Sequence, residues 1–425
     1  MTQHTESSAS HPPREPRVTL RGPADLAEAL PFVLGFHPDD SIVMVALHGA
    51  RGRFGGRLRL GIPADPAEWR HVAAQLADCL IGEASRPDHP DGIAVFLCQD
   101  PRPGERPQQT MERLRPLAQH LRTACGTLDV PVMEALCVSD GRWWSYCCPD
   151  IGCCPPDGTP IPQDGTSVMA AAAAYAGIQV RGTLKEMQAR YTPLGPPRAA
   201  PQEAALDQAC AELVPRMLRD GDILTVREET LTLAEAALHR FRTTPAASDD
   251  TAGDTHDDTL LADAEAAAII LGLQDRETRD QAAEWMEGQD AAPALRLWRA
   301  LARRCVGAYT DHSAAPLTLA GWVCWSVGDE PAARVAFDRA LDADPEYTFA
   351  KLLHRACNNG LDPEPLRQCL RQERSKRQAR GTTTPQPATG PKGRPATDTS
   401  PANRPGTRRR AHRPTRTRKG DGRRC

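Results

Sequence analysis

Apolar and polar positions in the first 190 residues alternate between two patterns. Ser41–Leu47 (SIVMVAL) and Gly92–Cys98 (GIAVFLC) are unbroken apolar runs rich in β-branched residues, the signature of strands buried on both faces. Arg53–Ile62 alternates in polarity and follows the turn-like His48–Gly52, so it predicts a strand pairing back on the first. Asp129–Val138 and Trp143–Tyr146 predict two more, joined by a tight turn at Asp140-Gly141, and Val18–Leu20 a short one ahead of them all. Helical periodicity fills the spaces between. Pro23–Leu34 opens on a proline in the tolerated first position. Pro31 is expected to kink or end that helix, and Gly35 is placed to cap it. Pro66–Leu80 sets Trp69, Val72, Ala73, Leu76 and Leu80 on one face, and Gln108–Cys125 is a further helix. This order predicts an α/β domain over 17–191, a mixed sheet with helices packed on it.

Beyond Pro201 strand patterns nearly vanish. Pro201–Arg219, Glu229–Arg242, Thr259–Leu271, Glu277–Glu287, Ala292–Val306, Leu317–Val327, Glu330–Leu341, Tyr347–Cys357 and Glu364–Arg377 carry helical spacing. Thr243–Asp258, acidic and polar, reads as an exposed connection. The expectation is an all-α domain over 201–377. In a 34-residue frame ending near Pro345, Gly321, Ala333, Phe337, Ala340 and Pro345 fall on the small, small, aromatic, small and proline positions of a tetratricopeptide-like (TPR-like) helix pair. Small residues let the two helices approach, and Phe337 fills the gap between them. Repeat stacks of this kind present protein-binding faces.

Residues 1–16 are polar, and 381–425 contain no Val, Ile, Leu, Met, Phe, Trp or Tyr. Neither can bury a core, so a disordered leader and a disordered tail are expected. The leader has no apolar centre of a secretion signal. No apolar run reaches the roughly 18 residues that a spanning helix needs, and the two longest candidates, Ser167–Val180 and Pro316–Val327, read as buried helices. A cytoplasmic protein without membrane attachment is the expectation. Its 14 cysteines then read as reduced thiols rather than a disulfide framework.

The net charge of −3 hides a split. From Arg371 to Cys425 there are 17 basic and 3 acidic residues, a net of +14; the remainder carries 52 − 17 = 35 basic against 55 − 3 = 52 acidic, a net of −17. Arg408, Arg409, Arg410, Arg413, Arg416, Arg418, Lys419, Arg423 and Arg424 make the tail a candidate for weak, salt-sensitive, sequence-independent contact with nucleic acid. Of the 52 basic residues only five are lysine, which leaves 47 arginines. That imbalance reads as codon bias rather than as 47 selected guanidiniums.

Two clusters carry candidate chemistry. Cys147, Cys148, Cys153 and Cys154 place four sulfurs within eight residues. Zinc takes four such ligands, usually offered in pairs two to four residues apart. Here adjacent cysteines are separated by zero, four and zero residues, so a buried structural loop, a redox pair and a zinc site all stay open. The turn Gly35–Ser41 concentrates His37, Asp39, Asp40 and Ser41 ahead of a buried strand. Such groups bind a metal or phosphate, or they serve turn chemistry alone. There is no glycine-rich phosphate loop, no G-x-S-x-G and no HExxH.

Three stretches carry a family resemblance. The first is Pro31-Phe32-Val33-Leu34-Gly35-Phe36-His37-Pro38-Asp39-Asp40-Ser41 and the second Cys153-Cys154-Pro155-Pro156-Asp157-Gly158-Thr159-Pro160. The third runs from Arg279-Asp280 through Leu297-Trp298 and Gly328-Asp329 to Asp344-Pro345 and Gly360-Leu361-Asp362-Pro363. Together the chain resembles the actinobacterial domain-of-unknown-function 4192 family across roughly residues 17–370. The resemblance implies a two-part chain and brings no catalytic residue or cofactor with it. The doubled Cys147-Cys148 and the basic tail stand outside it. The sequence leaves open whether the chain is an enzyme. Its leading reading is a noncatalytic adaptor that docks another protein through its helices. The alternatives are a thiol- or metal-dependent enzyme centred on the Cys147–Cys154 loop, with zinc as its metal, and a nucleic-acid contact through the tail.

Overall fold

The computed structural model describes residues 20, 22–49, 52–82, 89–150, 154–162, 167–219, 221–246 and 250–381. The leader, the basic arginines of the tail, Cys153 and most of the short strand expected at Val18–Leu20 lie outside the described residues.

The N-terminal part is a six-stranded mixed sheet in the order β2-β1-β3-β4-β5-β6. Its strands are β1 (Ser41–His48), β2 (Arg53–Gly61), β3 (Gly92–Cys98), β4 (Val132–Ser139), β5 (Arg142–Ser145) and β6 (Thr159–Pro160). Only β3 and β4 run parallel, with Phe96 beside Leu136; every other pair is antiparallel. The two apolar runs, β1 and β3, sit side by side in the middle and are buried on both faces. The alternating β2 is the exposed edge.

Helix α1 (Pro23–Leu34) continues through Pro31 without ending there, and Gly35 caps it in the left-handed region at φ 86°. A proline at that position gives up one backbone hydrogen bond, which the packing of Leu30 and Leu34 offsets. The helix expected at Pro66–Leu80 is split into a 3-10 turn, α2 (Trp69–Ala77) and a π turn (Asp78–Gly82). With α3 (Pro107–Thr127) it covers one sheet face, through Ile42, Met44, Ile93, Val95 and Leu97. The opposite face, through Val43, Val45, Ala94 and Phe96, shares one continuous apolar cluster with α1 and the C-terminal helices.

The helical part follows two short helices, α4 (Val168–Tyr175) and α5 (Leu184–Ala189). It comprises α6 (Ala199–Met217), α7 (Asp222–Thr243), α8 (Asp250–Thr259), α9 (Asp263–Gly272), α10 (Arg276–Ala282), α11 (Ala291–Arg303), α12 (Ala314–Ser326), α13 (Glu330–Ala343), α14 (Thr348–Asn358) and α15 (Glu364–Gly381). All thirteen residues of α12 are buried. The Ala-rich α4 is not the buried helix its composition suggests: only Ala173 is buried, and Val168 and Tyr175 are exposed.

The largest departure from expectation is the acidic stretch before Asp258. It is not an exposed connection. It forms α8, and Asp254, Asp257 and Asp258 are buried there. Arginines from elsewhere make this possible. Arg296 Nε donates to both carboxylate oxygens of Asp257 at 3.0 Å. Arg303 donates to Asp258 Oδ1 at 2.8 Å and 3.1 Å, and Arg190 Nε to Asp254 Oδ2 at 3.0 Å. Arg304, itself buried, donates to the Asp258 and Leu261 carbonyls and to Asp263. Buried carboxylates persist only where such partners neutralise them. These arginines are structural partners of the buried carboxylates.

Candidate functional site

The turn between α1 and β1 lies where the chain folds back on α5. His37 N–H donates to the Gly182 carbonyl, and the His37 carbonyl accepts from Leu184 N–H. Asp39 Oδ2 accepts from the Lys185 backbone N–H at 2.9 Å. Asp40, in the left-handed region at φ 43°, receives Lys185 Nζ at 3.0 Å and Gln99 Nε2 at 3.1 Å. Burial pushes the Asp40 carboxyl up, but those two hydrogen bonds outweigh it and hold the group below its ordinary value. Gln99 in turn accepts from Arg113, which forks onto Glu105 at 2.9 Å. Ser41 Oγ donates to the Asp39 carbonyl and accepts from Arg59. Asp39, Asp40 and Ser41 thus tie β1, β3, α3 and α5 together. The His37 ring is exposed and makes no hydrogen bond among the described residues.

Beside this turn opens a cleft of about 620 Å³. Its floor lies where the parallel strands β3 and β4 end, at Cys98–Asp100 and Val138–Asp140. Ligands of open α/β sheets bind outside such carboxyl ends. Glu28 from α1 and His37 and Asp39 from the turn form a wall, and Gln99, Asp100, Asp140, Ser167 and Thr183 complete the polar lining. Among the described residues no lysine or arginine lines it. Asp100 Oδ1 accepts from the Asp140 N–H at 3.0 Å, so that oxygen is already used. Glu28 Oε1 is buried and has no hydrogen-bond partner among the described residues. The Cys98 thiol is buried, and burial pushes it well above its ordinary value. It is a neutral group there, not a nucleophile.

The thiol loop is arranged differently. Cys147 packs against the core under α2 and α3, whereas Cys154 packs against the core shared with the helices. Those cores lie on opposite faces of the sheet. The Cys147 and Cys148 N–H groups both donate to Ser145 Oγ, at 3.1 Å and 3.0 Å. Burial raises the Cys147 thiol, with the Glu134 carboxylate adding to the shift. No group of three or more His, Cys, Asp or Glu side chains among the described residues is placed to hold a metal ion.

A second cleft, about 900 Å³, lies on the other side of the 181–184 segment, between it, α8, α11 and α13. It is lined by arginines. The periodicity of α11 carries the signal for it: Arg299 and Arg303 stand four residues apart on a helix otherwise buried through Leu297, Trp298 and Leu301. Glu28 and Asp100 have no such motif to announce them. They become site residues only when separate elements meet.

Residues 23–364 match the family model described as Domain of unknown function (DUF4192). No curated protein and no solved structure matches the chain.

Proposed function

The chain belongs to the domain-of-unknown-function 4192 family, and from that premise we propose that it is a small-molecule-binding protein whose ligand enters the cleft at the ends of β3 and β4. The observation behind this reading is Glu28 Oε1, a buried carboxylate oxygen without a partner among the described residues, in a cleft that none of their lysines or arginines lines. A buried charged acceptor is costly unless something donates to it. The complementary ligand carries donors, either an amine or a polyhydroxyl compound. Apolar walls from Leu30, Phe32, Val138 and Val180 take its carbon skeleton. His37 and Glu28 are the two groups at hand for moving a proton, should the ligand react.

The test is a binding panel of amines, polyols and organic acids against the full chain, read by melting temperature and calorimetry. Amines or polyols stabilise the wild type, and Glu28→Gln weakens them at least tenfold. If only organic acids bind, or if Glu28→Gln binds as the wild type does, this reading fails.

A second reading, the adaptor, is supported by a different feature. Leu218, 81% exposed, and Leu224, 64% exposed, flank the turn between α6 and α7, with Val214 one turn before Leu218. Exposed apolar clusters of this kind dock partners. The α12–α13 pair, with its small-residue contacts, is the TPR-like element of that reading. Full-length wild type and a Leu218→Glu, Leu224→Glu variant, used to capture proteins from the source cells, separate the cases: an adaptor loses its partner in the variant.

A further inference from the structure

We propose that the arginine-lined cleft is a second binding site, specific for the oxyanion of a small metabolite, with Arg299 and Tyr191 as its central contacts. The proposal is independent of the acid-lined cleft and rests on a charge imbalance. Five guanidiniums line the cavity, Arg181, Arg190, Arg198, Arg299 and Arg303, against four carboxylates, Glu186, Asp254, Asp258 and Asp329. Five minus four leaves one positive charge.

The pairing identifies which one it is. Arg181 reaches Asp329 at 3.1 Å. Arg190 forks onto Asp254, and Arg198 reaches Asp258 at 3.4 Å. Arg303 bridges Asp254 and Asp258. Glu186 is spent on the Thr183 N–H at the start of α5. Of the five, Arg299 alone has no carboxylate within ion-pair distance among the described residues, and its Nε is buried without a hydrogen-bond partner there.

Its one close companion is Tyr191. The guanidinium lies 5.7 Å from the centre of that ring. Tyr191 is itself buried, and its hydroxyl has no hydrogen-bond partner. Burial keeps the phenol protonated, so it stays a donor. The Tyr191 hydroxyl and the Arg299 Nε–H are therefore two neighbouring donors without an acceptor among the described residues, in the wall of one cavity. Unpaired buried donors carry a desolvation penalty that nothing in the fold offsets. An acceptor that enters with a negative charge removes it.

A planar guanidinium matches a phosphate or carboxylate bidentately, and the phenol supplies a third bond. The four arginines around it are held by carboxylates and do not compete for the ligand. Leu295, Ala332 and Val335 line the remainder, so the body of the ligand has apolar surface to cover. Phosphate and carboxylate groups share this chemistry, and the experiment separates them.

Inorganic phosphate and succinate are titrated in separate arms into the full-length protein, in a buffer free of other oxyanions. Calorimetry and melting temperature are recorded for wild type, Arg299→Met, Arg299→Lys and Tyr191→Phe. One anion is expected to bind the wild type and raise its melting temperature by mass action. Arg299→Met should abolish that binding and, without ligand, melt at or above the wild-type temperature, since it deletes an uncompensated charge. Arg299→Lys keeps the charge without the fork and should bind at least tenfold more weakly while remaining folded. Tyr191→Phe should bind several-fold more weakly. The basic tail is the same in all four proteins, so its own attraction for anions cancels in the comparison. The proposal is overturned if neither anion binds at 10 mM, if Arg299→Met binds as the wild type does, or if Arg299→Met lowers the ligand-free melting temperature, which marks the cation as structural.

Discussion

The Phe337 ring occupies the space that a side chain on Gly321 would need: a β-carbon there would stand 2.5 Å from the ring edge. The contact fastens α12 to α13, and both residues belong to the buried core. Gly321→Leu should therefore force Phe337 out of its slot and destabilise the fold by about 1–3 kcal/mol, the range for overfilling a packed interior. Phe337→Ala opens a cavity instead and should lose about 3–5 kcal/mol. Denaturant unfolding of the two single variants and the double variant measures both, and the double should lose less than their sum. Strict additivity would mean that the ring and the glycine do not constrain each other.

That pair was legible in the sequence because a single local spacing encodes it. The same holds for β1 and β3, whose apolar runs need only be long and β-branched. The acidic helix α8 was not legible. Its residues are polar, and polarity argues for exposure. Asp254, Asp257 and Asp258 are buried because Arg190, Arg296 and Arg303 come from positions 39 to 64 residues away. No window of local sequence holds both halves of such a pair. The candidate clefts share this property. His37 and Asp39 stood out as a dense polar turn, while Glu28, Asp100 and Arg299 acquire their character from neighbours in space.

The Arg303–Asp258 pair should behave as a buried ion pair does. Both side chains are about 95% shielded from solvent. Asp258→Asn or Arg303→Met alone strands a charge and should cost about 3–5 kcal/mol, whereas replacing both with apolar residues of similar size should restore most of it. Unfolding free energies of the two single variants and the double variant check this. A double variant that loses as much as the two singles combined would show that the charges act separately.

Acid should release α15 before the rest of the fold. Hydrogen bonds from Arg371 and Arg367 hold the Glu287 carboxyl down at about 2, while its unfolded value is about 4.3. A depressed carboxyl stabilises the fold above the unfolded value and loses that contribution as pH falls through the folded one. The window is thus about pH 5 down to 2. Glu284, which binds Arg377 of the same helix, is raised by burial and works in the opposite sense. Amide protection within 364–381, taken relative to the intrinsic exchange rate at each pH, should fall between pH 5 and pH 3, ahead of α11 and α12. In Glu287→Gln the helix should show low protection at all pH values, with the acid step gone. An acid step that survives the substitution would assign it elsewhere.

Gly35 should couple the sheet to the helices. It sits in the left-handed region at φ 86°, where a side chain is strained. It also lies directly beneath Pro331, so that an added β-carbon would overlap the Pro331 ring. That ring is fixed at the start of α13 and cannot swing aside as a long side chain would. The strain of the left-handed conformation and the overlap act together at this residue. Gly35→Ala should therefore cost more than the roughly 1 kcal/mol of the backbone effect alone, reaching about 2–4 kcal/mol once overpacking is included. Because one apolar cluster runs from Val43 and Phe96 into Trp298 and Trp322, the wild type should unfold in a single transition. Circular dichroism and tryptophan fluorescence, followed through the same denaturant series, test both statements. Coincident curves shifted together in Gly35→Ala agree with a shared core. A variant in which the sheet melts while the helices stay folded would show that the contact at Pro331 does not join them.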